Sequence, residues 1–419
     1  LKICHVITRL IIGGAQENTI LTCRGLAERG HEVTLIAGSE TGPEGSLWPQ
    51  AEFSGCRLIR LDSMRRAVRP MADWRARREL VRLFRQLKPD VVHTHSSKAG
   101  ILGRSAARLA RVPVIIHTIH GMSFNRTQPA HVRWAYRFLE RRAARYTTGF
   151  IAVADAMIEQ AVEAGLGRRD KFVTIRSGLD TGLFAPKADV RQAVRARWGI
   201  GDHEVVVGTV ARLFENKGYD EIIAAMPQIV AGGPEEGRSS RQAGSGTPGR
   251  NGSPRIHFVW IGDGKHRARY EGVLAAMGLR ERVTLLGLLP PEEAARQMTG
   301  FDIVLHASRW EGLPRALVQG LLLEAPAVSF DNDGAPEVVV HDQTGMLAPY
   351  GHTSSLAAAV VRLARDRSLR QRLGSNGRAR CLQMFDWRKM VDAIEQEYRR
   401  LTDAAIEGDA VRAGAHNDH

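Results

Sequence analysis

Two cations and a carboxylate, each set just past an apolar run, are the residues of this chain best suited to chemistry on a charged substrate. Arg212 and Lys217 lie in Ala211-Arg212-Leu213-Phe214-Glu215-Asn216-Lys217-Gly218, directly after Val205–Val210. In an open α/β sheet, ligands bind beyond the carboxyl ends of the strands. An Arg at such an end and a Lys opening the next helix bring positive charge beside amides that already favour an anion. Solvated loop charges would look the same, so this run alone decides little. Glu311 sits in His306-Ala307-Ser308-Arg309-Trp310-Glu311-Gly312-Leu313-Pro314, just before a helix expected to begin near Pro314. Its carboxylate can accept hydrogen bonds from sugar hydroxyls, the amides of Gly312 and Leu313 can face a diphosphate, and Gln319 can reach ribose hydroxyls. The plainer role for Glu311 is that of a helix-dipole partner.

Gly262 and Gly264, in Trp260-Ile261-Gly262-Asp263-Gly264, can admit a ligand close to the backbone, although a lone G-x-G is as readily a turn. Asp331-Asn332-Asp333 has a spacing that can hold a divalent cation. Because it feeds a short helix, Asp333 is expected to cap that helix, and no metal is expected. His93 and His95 face one side of a strand like two-thirds of a metal site, yet the sequence places no third ligand. Strand-end packing or contact with an acceptor is the expectation for them, and core packing for His117. Cys4, Cys23, Cys56 and Cys381 have no metal-ligand spacing and read as free thiols of a cytosolic protein.

These residues need a scaffold, and the apolar runs supply one. Strands are expected at Lys2–Ile7, Glu32–Ala37, Arg57–Leu61, Asp90–Thr94, Val114–Thr118, Gly149–Val153 and Phe172–Ile175. A second series follows at Val205–Ala211, Ile256–Ile261, Val283–Leu286, Asp302–His306 and Ala327–Phe330. Amphipathic helices alternate with them, such as Asp73–Leu87, with Asp73 as N-cap and Pro89 past its end. Alternation twice over predicts an α/β chain of two doubly wound parallel sheets. The expected domains are 1–185 and 186–384, then a helix over 385–402 and a frayed tail over 403–419. Residues 232–255 are rich in Gly, Ser and Arg and read as a flexible insertion.

Taken in order, Arg212/Lys217, Gly262-Asp263-Gly264, Ser308-x-x-Glu311-Gly312-Leu313-Pro314 and Gly334-Ala335-Pro336-Glu337 resemble glycosyltransferase family 4. The first half agrees: Gly13-Gly14-Ala15, His93-Thr94-His95-Ser96-Ser97-Lys98, His117-Thr118-Ile119-His120-Gly121 and Ser177-Gly178-Leu179-Asp180. The resemblance spans roughly residues 1–400. It implies the GT-B fold, two Rossmann-like domains facing a cleft, and transfer from a nucleotide sugar with retention of configuration and without a metal. Arg212 and Lys217 would then hold the donor diphosphate and neutralise the leaving group. Glu311 would position the donor sugar, His120 would contact that sugar, and Gly13 and Gly14 would let the first loop close over the phosphate. Backbone groups around Leu288 would meet the base. The usual second Glu is replaced by Gln319, which offers an uncharged acceptor instead.

The string around Lys98 and His120 is similar to a bacterial branch that builds capsule, exopolysaccharide or lipid-linked oligosaccharide. It implies a UDP-hexose or UDP-N-acetylhexosamine donor. The acceptor would be a glycan or an undecaprenyl-diphosphate-linked sugar, with His95 and Lys98 on the acceptor side and Lys98 on its phosphate. An idle transferase-like scaffold, which Gln319 would permit, and a sugar-nucleotide epimerase of the same fold are the alternatives.

Composition bounds the remaining classes. Apolar content of 43% and charged content of 25% are those of a globular protein, and no apolar run approaches the roughly 18 residues of a membrane span. Leu1–Ile7 is too short for a signal segment and reads as a buried strand. Residues 1–185 hold 29 Lys+Arg against 16 Asp+Glu, so nearly all of the net +14 lies in the first half. That excess is either a solvated Arg-rich surface or the footprint of an anionic partner. The helix around Arg133-Trp134-Ala135-Tyr136-Arg137-Phe138-Leu139 sharpens the choice. Trp134, Phe138 and Leu139 can pack inward, the helix can rest on an anionic membrane, and both can hold if only the Arg face touches headgroups. A cytoplasmic protein, peripheral on the inner face of the plasma membrane, is the corresponding location. Specific nucleic-acid binding is not expected, because no recognition-helix, zinc or aromatic-sheet signature accompanies the charge.

Overall fold

A computed structural model describes residues 1–42, 45–125, 128–232 and 254–414. Apart from its ends, the insertion expected over 232–255 lies outside the described residues, as does the last part of the expected tail. The chain divides into two compact units. Unit 1 holds residues from Leu1 to Leu179 and the chain from Phe385 on, and unit 2 runs from Asp180 to Met384.

Unit 1 is a seven-stranded parallel sheet of β1 (Lys2–Arg9), β2 (Glu32–Gly38), β3 (Arg57–Arg60), β4 (Val91–His95), β5 (Val114–Ile119), β6 (Gly149–Ala152) and β7 (Phe172–Thr174). Their order is β3-β2-β1-β4-β5-β6-β7, so the direction of winding reverses between β1 and β4. The inner strands are buried along nearly their whole length, as a parallel sheet covered on both faces requires. The register that sets Ile3 beside Val91 also sets His5 beside His93.

Two helices depart from expectation. The helix expected from Asp73 begins a turn earlier, as Pro70–Leu87, because Pro70 supplies the first position and Asp73 reaches back to accept from the Arg69 amide at 3.1 Å. In Ala130–Ala144 the inward-packing alternative is overturned: Trp134 is 69% exposed, Phe138 53% and Leu139 40%. The buried face belongs instead to Ala143, Ala144 and Glu140, whose carboxylate is paired with the wholly buried Arg104. Arg137 and Arg141 bond backbone carbonyls at Glu163 and Ala164, while Arg133, Arg142 and Arg145 face outward.

The last helix, Trp387–Gly414, belongs to unit 1. Trp387, Val391, Ile394, Tyr398 and Leu401 join the core formed by Ile3, Ile20, Leu26 and Ile151. A tail fraying from 403 is not what forms. The helix runs on to Gly414, and Ala405 continues its apolar stripe against the same core.

Unit 2 is a six-stranded parallel sheet of β8 (Val205–Val210), β9 (Ile256–Ile261), β10 (Val283–Gly287), β11 (Ile303–His306), β12 (Ala327–Asp331) and β13 (Gly345–Pro349). The order β10-β9-β8-β11-β12-β13 reverses between β8 and β11. The edge strand β13 was not expected. Gly-Met-Leu-Ala-Pro is short and framed by the two residues that usually punctuate strands. Its Gly345 is needed because a Cβ there would lie 2.1 Å from the Ala327 carbonyl oxygen of β12. The turn Thr181–Phe184 packs with unit 2, where the Phe184 carbonyl accepts from Arg378 at 3.0 Å.

Candidate active site

In unit 2 the reversal point gathers Lys217 and Glu311. Arg212 and Lys217 follow β8, and Glu311 follows β11, so adjacent strands running in the same direction deliver both loops to one end. The Lys217 ammonium bonds the Glu311 carboxylate directly, with the two side chains 16% and 22% exposed. Ser308 donates to the same carboxylate at 3.1 Å, and His306 Nε2 stands 3.5 Å away. Burial pushes the Glu311 carboxyl up. The charge of Lys217 and the nearby His306 more than offset this and hold it well below the usual carboxylate range. The site thus carries a fixed negative charge wedged against a fixed positive one.

The loop is stapled from both sides. The Arg309 amide donates to the Asn216 carbonyl at 2.9 Å, and Ser308 Oγ lies 3.0 Å from the same oxygen, tying the Glu311 loop to the Lys217 loop. The Arg309 side chain clamps Glu221 at 2.7 Å and Glu215 at 3.2 Å. From the far side, Asp333 accepts from the Glu311 amide at 2.8 Å and Asn332 donates to the Ser308 and Arg309 carbonyls. The expected capping role for Asp333 is corrected: Gly334, not Asp333, is the residue that precedes the Ala335–Val338 helix, with no side-chain cap, and the Asp333 carboxylate accepts from the Glu311 amide. Gly218 makes the junction feasible, since its φ is 73° and a Cβ would come within 1.7 Å of the Ala307 carbonyl oxygen.

The other expected residues of unit 2 surround this pair. Gly262 and Gly264 pack against the backbone of Ala211 and Leu213; a Cβ on Gly262, at φ 134°, would meet the Ala211 oxygen at 2.0 Å. Both glycines thereby serve the chain's own close approach, which shapes the loop bearing Arg212. The Arg212 guanidinium lies over the Phe214 ring at 4.7 Å. Gly312 and Leu313 are buried in the turn before the Arg315–Leu322 helix, which carries the half-buried Gln319. Leu288, just past β10, is 40% exposed, an apolar side chain open to a planar ring.

In unit 1 the reversal point lies between β1 and β4. Gly13 precedes the Gly14–Glu28 helix, and Ser96 precedes the Ser97–Ala110 helix. Ser96 has φ 62°, an unusual conformation for a residue with a side chain, held by a 2.8 Å bond to Thr8 Oγ1. Thr8 also accepts from the Ala99 amide at 3.2 Å, a capping role that spacing did not single out. Ser96, Thr118, His120, Ser123 and Glu140 line a concave pocket.

Two residues expected on the acceptor side are engaged within the fold. Lys98 is held by Asp73 at 2.6 Å and by the Ala67 carbonyl, with side-chain exposures of 13% and 17% for the ion pair. His95 is 1% exposed, and both its ring nitrogens are engaged, with His5 at 3.0 Å and His120 at 3.1 Å. This is the strand-end packing that was one of its two expected roles. His117 is buried and bonded to Thr94 at 2.9 Å, as expected. The four cysteines are free thiols.

Residues 13–178 match the family model described as a glycosyl transferase 4-like domain, and residues 190–380 match glycosyl transferases group 1. The chain is a GT-B glycosyltransferase. It is 28% identical over 403 residues to the Escherichia coli UDP-Gal:alpha-D-GlcNAc-diphosphoundecaprenol alpha-1,3-galactosyltransferase, covering 95% of this chain and 96% of that one. It is 22% identical to the Staphylococcus aureus capsular polysaccharide biosynthesis glycosyltransferase CapM, over 80% of this chain and 83% of that one. Among solved structures, Anabaena HepE in complex with UDP and glucose shares the fold, with a TM-score of 0.77 at 20% identity, over 96% of this chain and 100% of that one.

The arrangement in unit 2 sets cations beside a carboxylate on adjacent strand-end loops. A leaving nucleoside diphosphate gains negative charge as the sugar departs, and preorganised cations answer that charge without rearranging. Spacing alone did not mark His306, Asn216 or Asp333 as supports of the site. Their common signal is position, since each lies within a few residues of the carboxyl end of β8, β11 or β12.

Proposed function

We propose that this glycosyltransferase moves a hexose or N-acetylhexosamine from a UDP-sugar to an undecaprenyl-diphosphate-linked glycan, with retention and without a metal. The observation that carries the reading is the Lys217–Glu311 pair at the reversal of the unit 2 sheet, beside Arg212. In this reading Arg212 and Lys217 take the donor diphosphate, and Glu311 orients the sugar hydroxyls. Gly13, Gly14, Gly262, Gly264, Gly312 and Leu313 let backbone approach the donor. Leu288 meets the base, Gln319 accepts from the ribose, and His120 serves the sugar. The full-length match to a galactosyltransferase acting on a diphosphoundecaprenol-linked sugar supports the donor and acceptor classes. Engagement of Asp333 by the Glu311 amide supports a reaction that leaves the D-x-D run to structure.

Unit 1 also supports a location. Exposed Trp134, Phe138 and Leu139 beside Arg133, Arg142 and Arg145 combine apolar side chains with positive charge, the pairing that seats a helix on anionic lipid. A membrane-associated acceptor at the cytoplasmic face would be met there. Among the described residues, no helix is long and apolar enough to cross a membrane.

The deciding assay offers UDP-galactose, UDP-glucose, UDP-N-acetylglucosamine and GDP-mannose in turn to a GlcNAc-diphosphate-lipid acceptor in excess chelator. Transfer from one UDP-sugar with an α-linked product is expected. Transfer from GDP-mannose alone, an inverted linkage, or loss of activity in chelator would each overturn part of the reading. UDP binding without transfer to any acceptor would favour the idle scaffold, and conversion of the donor to its epimer would favour the epimerase.

A further inference from the structure

The Glu311 carboxylate is crowded on one oxygen. Lys217 Nζ bonds Oε1, Ser308 Oγ donates to the same oxygen at 3.1 Å, and His306 Nε2 stands 3.5 Å from it. His306 ends β11 and is 4% exposed, and its Nε2 is buried with no hydrogen-bond partner among the described residues. The approach to Oε1 exceeds the roughly 2.7–3.2 Å of an N–H···O bond. A bare imidazole nitrogen would turn its lone pair on the carboxylate oxygen, so the proton of the neutral ring belongs on Nε2. Burying an N–H without a bond is costly, and its persistence beside a carboxylate calls for a cause.

Occupancy supplies the cause. An ionised carboxylate has about two acceptor sites on each oxygen, and on Oε1 Lys217 and Ser308 fill both. His306 is therefore held off by closer donors. Lys217 has a second claim on it, because an ammonium turned toward a diphosphate withdraws from Glu311. The carboxylate would then keep Ser308 alone, in a pocket where burial pushes its carboxyl up and Lys217 and His306 hold it down. The site on Oε1 that Lys217 vacates lies within a short inward shift of His306 Nε2–H.

We propose that His306 is the reserve donor of the site: when a diphosphate draws Lys217 away, His306 Nε2–H closes on Glu311 Oε1 and keeps the carboxylate ionised and aligned. This rests on the reading that Lys217 meets the donor diphosphate, whichever base and sugar that donor carries. His306 is a positioning residue that acts through Glu311. If it only filled space at the end of β11, it would matter equally whether or not position 311 carries a charge.

Calorimetric titration with UDP, GDP and inorganic pyrophosphate measures the exchange without turnover. For whichever of these the wild type binds, His306→Leu is expected to raise Kd by at least about fivefold. His306→Gln, whose amide keeps an N–H, is expected to recover part of that loss. In the Glu311→Gln background no buried charge needs a second donor, so His306→Leu is expected to change Kd by less than about twofold. Equal weakening in both backgrounds would indicate packing and overturn the proposal, as would no weakening in either. Long-range 1H–15N correlation on the 15N-histidine-labelled wild type adds a second readout, with His306 assigned by the signal missing from His306→Gln. Nε2–H is expected in the free protein, its proton moving downfield as the bound diphosphate saturates. An Nδ1–H form, or a signal indifferent to the ligand, would overturn the proposal even if His306→Leu unfolded. Binding of GDP in place of UDP with the expected coupling would unseat the donor reading and leave this one intact. Failure of all three to bind would remove both.

Discussion

Replacing Lys217 with alanine strands the Glu311 carboxylate in a pocket built around its partner. Removing one member of a fully buried pair costs about 3–5 kcal/mol, and partial exposure of this pair brings the expectation to about 2–3 kcal/mol. For a unit of this size that lowers the melting temperature by roughly 4–12 °C. Because two units need not melt together, calorimetry is the suitable readout, with the transition that shifts assigned to unit 2. Lys217→Ala, Glu311→Gln and the double variant close a thermodynamic cycle, whose coupling is expected to be about 2 kcal/mol. The pH dependence has a definite sign. In the wild type the Glu311 carboxyl is depressed, so its stabilisation is present above the unfolded value and lost only as pH falls through the folded one. In Lys217→Ala the burial remains while the main attraction is gone, so the carboxyl rises and the variant's deficit shrinks as pH drops toward about 5. UDP at a hundredfold excess over its Kd adds about 2.7 kcal/mol to the wild type, and the variant should lose most of that gain. A variant melting within about 1 °C of wild type, or a cycle that is additive to about 0.5 kcal/mol, would refute the pairing argument.

Gly218→Ala puts a Cβ into the Ala307 carbonyl at a positive φ, so it should cost more than about 2 kcal/mol, read as the denaturation midpoint. Asp333→Asn keeps a residue tolerant of its φ of 48° but removes the charge that holds the Glu311 amide. Its stability should fall by about 1 kcal/mol or less while the donor KM rises roughly fivefold, a split that steady-state kinetics and a melt resolve together. Gln319→Glu supplies a charged acceptor and should lower the donor KM about threefold or more; an unchanged KM would mean that the side chain does not meet the ribose.

Much of this was legible before any coordinates. Strand positions followed from buried apolar runs, and the site loops followed from where those runs stop. Lys217 and Glu311 lie 94 positions apart, yet each is named by its place after a strand. What spacing could not carry was occupancy. Lys98 has the type and position of an anion ligand, but Asp73, brought in from another helix, already holds it. His93 and His95 looked like a pair without a third member because His5 comes from the neighbouring strand and Tyr398 from more than 300 residues away. Asp333 has the residue type of a cap, and only the folded loop reveals that its carboxylate serves a different amide. Hydrophobicity left Trp134 and Phe138 open between core and membrane contact, and it is alanines and a buried Arg–Glu pair that fill the space beneath that helix.

The last helix has a consequence for synthesis. Unit 2 is spelled entirely between the two stretches that make unit 1, so a ribosome emitting this chain can complete the later unit before the earlier one. Until Trp387, Val391, Ile394 and Leu401 emerge, Ile3, Ile20 and Leu26 lack the apolar face that covers them. The nascent first half is then sticky rather than finished, and His93 and His5 wait for the hydroxyl of Tyr398. A ribosome that stopped at residue 384 would release unit 2 with its whole sheet, attached to a half whose core has nothing to close on.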